Sequence, residues 1–111
     1  MMEYSISLSK LAENDLDEIY NYISIGLNNR VAAKRIYNLI ISSIERLSYF
    51  PEMGASLNTI SAEKSDYRFL VCGNYIVVYI ISHDEIIIER IFYGKRDYLN
   101  ILFNENTTGG E

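Results

Sequence analysis

The stretch Tyr75–Asp97, YIVVYIISHDEIIIERIFYGKRD, holds the densest apolar patterning in the chain. Two runs of isoleucine, valine and tyrosine flank the polar group Ser82-His83-Asp84-Glu85, the pattern of a β-hairpin. Tyr75–Ser82 is apolar on both faces and is expected to be a central strand, covered on each side. In Ile86–Tyr93 strict alternation assigns Ile88, Arg90 and Phe92 to one face, and Ile87, Glu89, Ile91 and Tyr93 to the other. The run stops at Gly94-Lys95-Arg96-Asp97, where a basic cluster closes the most apolar part of an acidic chain.

Upstream, Tyr67–Cys72 reads as a further strand and Gly73-Asn74 as its turn, which completes a three-strand meander. Glu3–Leu8 alternates with Tyr4, Ile6 and Leu8 on one side, a short first strand. Ser9 is a cap for the helix that follows, whose stripe is Ala12, Leu16, Ile19 and Ile23. Glu13, Asp15, Asp17 and Glu18 crowd its first half, where the helix dipole favours acids. Gly26 and Asn28-Asn29 break the period. A second helix starts after Asn29, with the stripe Ala33, Ile36, Ile40, Ile44 and Leu47, and Pro51 ends it. Two such helices joined by a few turn residues pack as an antiparallel hairpin. Residues 51–65 read as loop, 97–103 as a short helix, and 104–111 as a polar flexible tail. The expected fold is α+β: one domain over residues 1–103, ordered β-α-α-β-β-β, with the helical hairpin on a mainly antiparallel sheet.

A length of 111 residues with 49% apolar content suits one packed domain without staples. No run approaches the roughly 20 apolar residues of a membrane helix, and the start lacks the pattern of a signal peptide. The cytoplasm is the expected compartment. A single cysteine, Cys72, allows no intrachain disulfide and reads as a small buried residue. One cysteine and one histidine, His83, fall short of any metal ligand set, and no glycine loop for a nucleotide appears, so no cofactor is expected. The net charge of −5 and isoelectric point near 4.8 disfavour unaided binding to bulk nucleic acid.

The order of these segments and the residues filling them resemble the RelE/ParE superfamily of bacterial toxins. Ala12, Asp15-Leu16, Ile19 and Tyr22-Ile23 are similar to its first-helix signature. Ala33, Leu47, Pro51 and Gly54 resemble the end of its second helix and the turn after it. Tyr67-Arg68 and Tyr75–Tyr79 resemble its central strands, and Ile88, Arg90-Ile91 and Arg96-Asp97 its last strand and exit. The resemblance implies a small cytoplasmic toxin of a type II toxin–antitoxin module, with an antitoxin encoded beside it. It implies one of two targets: messenger RNA in the ribosome for RelE-like members, or DNA gyrase for ParE-like members, which are not nucleases.

Cleavage of RNA through its 2′-hydroxyl needs a base, a cation beside the phosphate, and an acid for the leaving oxygen. On the ribonuclease reading Arg68 and Arg96 match functional positions of RelE-like enzymes. Two departures weaken that reading: Ile76 stands where those enzymes carry an arginine, and Leu102 near the place of a catalytic tyrosine. His83 reads as a solvated turn residue. The ParE-like reading therefore leads, with no catalytic residues. The ribosome-dependent ribonuclease is the alternative, and a non-toxic relative that only binds antitoxin is a third. Arg68, Arg90, Lys95 and Arg96, with Tyr93 and Tyr98, are the expected partner-binding set, a cationic and aromatic patch suited to an acidic segment that folds on binding.

Overall fold

In the computed structural model, residues 3–56 and 66–94 are described. They comprise β1 (Ser5–Leu8), α1 (Lys10–Asn21), a π-helical turn (Tyr22–Gly26) and α2 (Arg30–Arg46). These are followed by β2 (Ala55–Ser56), β3 (Tyr67–Cys72), β4 (Tyr75–Ser82) and β5 (Glu85–Tyr93). The five strands form one mixed sheet in the order β1-β5-β4-β3-β2. Only β1 and β5 run parallel; the other pairs are antiparallel. The meander and the central place of β4 follow the sequence reading. The expected loop over 51–65 instead contains β2, two residues that pair with Arg68 and Phe69. So short a strand has no period to read. The expected helix 97–103 and the tail 104–111 lie outside the described residues.

Both helices cover one face of the sheet. Ala12 and Leu16 of α1, Ile40 and Ile44 of α2, and Leu47 just beyond it meet Val77, Tyr79, Ile86, Ile88 and Ile91 in the main core. Each large apolar side chain withdrawn from water there contributes about 1.5–3 kcal/mol. Ile76, Val78 and Phe92 form a smaller cluster on the opposite face, with Phe69 packed against it.

The division of β5 between these clusters corrects the strict alternation. Val78 pairs with Arg90, but Tyr79 pairs with Ile88, so Glu89 has no partner on β4. This bulge adds one residue and reverses the faces beyond it. Ile86 and Ile88 before it, and Ile91 after it, therefore all reach the main core. Ile88 and Phe92 consequently lie on different faces.

The bulge falls where β1 ends, and the start of α1 takes over the edge of β5. The Ser9 amide donates to the Ile88 carbonyl at 2.8 Å, and its hydroxyl donates to the Glu89 carbonyl at 2.8 Å. The same hydroxyl oxygen accepts from the Ala12 amide at 3.0 Å, capping α1. One turn on, Asp15 accepts from the Ile91 amide at 2.9 Å and from Arg90 Nε at 2.8 Å and Nη2 at 3.2 Å. The Arg90 guanidinium also stands 5.1 Å from the Phe92 ring centroid, a cation–π contact that ties it to the second cluster.

Asp15→Ala strands the Ile91 amide and removes the carboxylate that pairs with Arg90, so a loss of about 2–3 kcal/mol is expected in urea unfolding. Asp15→Asn, which keeps an acceptor for the amide, is expected to lose less. Equal losses in the two variants would show that the backbone contact contributes nothing.

Candidate functional site

The turn after α2 is bolted to the sheet by a buried phenol. Tyr79, 0% exposed in the middle of β4, donates to the Pro51 carbonyl at 2.7 Å and accepts from the Gly54 amide at 3.0 Å. Burial pushes the Tyr79 phenol above its ordinary 10.0, opposed in part by the Gly54 amide and the neighbouring Arg68, so it stays a donor through neutral pH. Gly54 is required here by close approach. A Cβ at that position would lie 2.5 Å from the Phe69 carbonyl oxygen and 2.8 Å from the Tyr79 oxygen. Pro51 and Gly54 are thus two ends of one clasp.

Arg68 belongs to the same clasp. It pairs with Tyr79 across β3 and β4, and its Nε donates to the Gly54 carbonyl at 3.0 Å while Nη2 reaches the Glu52 carbonyl at 3.4 Å. The guanidinium therefore stitches β3 to the turn. Among the described residues no histidine or carboxylate is hydrogen-bonded to it. His83 lies four residues along β4 from Tyr79, roughly 13 Å away at strand rise, exposed at the hairpin turn with φ 58°.

The structure keeps the described members of the expected patch apart. Arg68 and Arg90 sit on strands separated by β4, roughly 10 Å of sheet. One serves the Pro51–Gly54 turn and the other α1. Tyr93 is exposed at the end of β5 and meets Tyr75 edge-on, with ring centroids 5.2 Å apart. Lys95, Arg96 and Tyr98 lie outside the described residues. Among the described residues no group of three His, Cys, Asp or Glu side chains is placed to hold a metal ion, and no helix is long and apolar enough to cross a membrane. Cys72 is buried, and burial raises its thiol pKa above the ordinary 9.0, against the hydrogen bond to Ser43 and the charge of Arg46.

The two devices, the Asp15 edge contact and the Pro51–Gly54 clasp, use residues on which the sequence resembles the RelE/ParE superfamily. The model of the ParE toxins of type II toxin–antitoxin systems matches residues 6–98. The chain belongs to the ParE toxin family. Among solved structures it is similar to a chain of the chromosomal ParDE system from Pseudomonas aeruginosa, with 24% identity and a TM-score of 0.64. That match covers 83% of this chain and 97% of the other. It is also similar to a chain of the RelBE2 toxin–antitoxin complex from Mycobacterium tuberculosis, with 20% identity and a TM-score of 0.62, over 84% and 93% of the two chains. Among curated proteins none matches this chain. At these identities the two likenesses carry the α+β fold, two helices on a mixed sheet.

Sequence reasoning missed what Asp15 and Tyr79 do. Asp15 reads as an acid in the first half of a helix and, with Leu16, as part of the family-like helix pattern, but neither reading assigns it a contact. Its signal was position: it directly precedes Leu16 of the buried stripe, so its side chain starts at the margin of the core. Tyr79 looked like one strand aromatic among several, and only the Pro-x-x-Gly turn hinted at a partner.

The clasp predicts an alkaline limit to stability. A phenol whose folded pKa lies above its ordinary value leaves stability unaffected below pH 10.0, where both states are protonated. Stability then falls as the pH rises from there through the folded pKa, because the unfolded chain ionises first. Tyr79→Phe is expected to cost about 1–2 kcal/mol at neutral pH, through the stranded Pro51 and Gly54 groups, and to flatten that alkaline fall. Urea unfolding of both proteins from pH 7 to 11 measures the two effects together.

Proposed function

We propose that this chain is the toxin of a type II toxin–antitoxin, or addiction, module that stabilises its replicon. On this reading it acts in the cytoplasm on DNA gyrase without catalysing a reaction, and a cognate antitoxin neutralises it. The observation that carries the reading is the ParE family match over residues 6–98. The neighbouring ParDE and RelBE2 structures come from toxin–antitoxin systems, which supports an antitoxin as partner.

The commitment of Arg68 favours gyrase over messenger RNA. A ribonuclease needs a cation free to meet the phosphate, with an acid and a base beside it. Arg68 instead donates to two main-chain carbonyls, and its tyrosine neighbour Tyr79 is buried and used by the same turn. Ile76, the place of an arginine in RelE-like enzymes, is fully buried. The acidic balance points the same way, since a protein entering the phosphate-dense decoding site gains from positive charge.

Induction in bacteria, read by gyrase-linked DNA breaks and by messenger RNA integrity, tests the assignment. DNA breaks with intact messenger RNA are expected, together with inhibited supercoiling by purified gyrase. Rapid messenger RNA cleavage with intact DNA identifies a RelE-like ribonuclease instead. Harmless induction, with antitoxin binding retained, identifies a non-toxic relative.

A further inference from the structure

The tip of the helical hairpin combines three features that the fold does not ask for. The first is apolar exposure where a turn is ordinarily polar. Tyr22 and Leu27 stand exposed, with Ile25 at 76% and Val31 at 77%. The second is the wind: Tyr22–Gly26 forms a π-helical turn, and Asn28 takes φ 52° just after it. Such turns are rare and concentrate at functional positions. The wind buries Ile23 and Ser24 and leaves Ile25 outward.

The third feature is charge. Helix α2 has no acid in its first turn and begins with Arg30, followed by Lys34 and Arg35, all exposed. A cation in the first turn of a helix opposes the helix dipole, so helix formation does not account for Arg30 there. Residues 22–35 hold these three cations and no acid, a local excess of positive charge in a chain of net charge −5. Lys34 and Arg35 follow Val31 by three and four residues, which places basic side chains directly beside the exposed valine. Among the described residues no ion pair engages these three cations; the one described pair is Arg90 with Asp15.

Aliphatic groups ringed by cations match a segment with acidic side chains next to aliphatic ones. We infer that the hairpin tip, formed by Tyr22, Ile25, Leu27 and Val31 with Arg30 and Lys34, docks such an acidic amphipathic segment of the cognate antitoxin. This rests on the toxin–antitoxin part of the proposed function and is independent of the gyrase assignment. It places the anchor point at the hairpin tip and not on β5, where Arg90 is held by Asp15.

Calorimetric titration of the purified chain with the antitoxin encoded beside it tests the inference. Ile25→Asp with Val31→Asp is expected to weaken binding at least tenfold. Arg30→Glu with Lys34→Glu is expected to weaken it similarly and to flatten its salt dependence. Leu11→Asp, exposed at the far end of α1, is expected to bind as the unsubstituted chain does. All these positions are exposed, and circular dichroism checks that each variant folds; Ile25→Ser with Val31→Ser is the milder pair should the aspartates unfold the tip.

Unchanged antitoxin affinity in both tip variants overturns the inference. If that result comes with lost gyrase inhibition, the tip contacts the target; if it comes with lost self-association in sedimentation, the tip is a contact between copies. Absence of antitoxin binding by the unsubstituted chain overturns the toxin–antitoxin reading itself. Tip-dependent antitoxin binding with no effect on gyrase leaves the inference standing and overturns only the target.

Discussion

The carboxylate of Asp15 decides how the two halves of this fold meet. A sheet edge is a row of unpaired amides and carbonyls, and strand β1 satisfies it on β5 only as far as Ile88. Beyond that point the chain has already turned into α1. Ser9 and Asp15 continue the pairing with side chains, one group for the Glu89 carbonyl and one for the Ile91 amide. A helix can thus lie against the edge of a strand with no strand to cover it. The bulge at Glu89 belongs to the same arrangement, since its added residue brings Ile91 to the core face while its amide meets Asp15. Arg90 then balances the carboxylate and reaches on to Phe92 of the second cluster.

The clasp at Pro51–Gly54 applies similar economy on the other side of the sheet. A two-residue strand such as β2 contributes little pairing of its own. Its position is fixed by the phenol of Tyr79 and the guanidinium of Arg68, which together occupy the carbonyls of Pro51, Glu52 and Gly54 and the amide of Gly54. Polar side chains of the sheet serve here as a frame for main chain that has no regular structure.

Much of the architecture was legible in the sequence because it rests on periods. The stripes Ala12-Leu16-Ile19 and Ala33-Ile36-Ile40-Ile44 could be read as helices, and the alternating runs after Tyr67 as a meander. What escaped lacks a period. A bulge is a single added residue, so alternation through Glu89 assigned Phe92 to the face of Ile88. The π-helical turn likewise adds one residue to a helical turn, and Ile23 looked like a continuing stripe although it is buried from a different wind. The expected interaction patch was chosen by charge along the chain. Arg68 and Arg90 proved to be held by separate elements, a fact visible only once the strands are laid side by side. The exposed aliphatics Ile25 and Val31 drew no notice, because sequence alone cannot separate an outward apolar residue from a core one.

The parallel pairing of β1 with β5 has a consequence for the birth of the molecule. Ser9 meets Glu89 across 80 residues of chain, so the first strand made waits for nearly the last. At ordinary synthesis rates of about 5–20 residues per second, that wait is roughly 4–16 s. Throughout it the Tyr4, Ile6 and Leu8 side chains have no sheet to join, and closure of the long loop tends to slow the final step. A nascent chain of this design cannot close its sheet until β5 has been made.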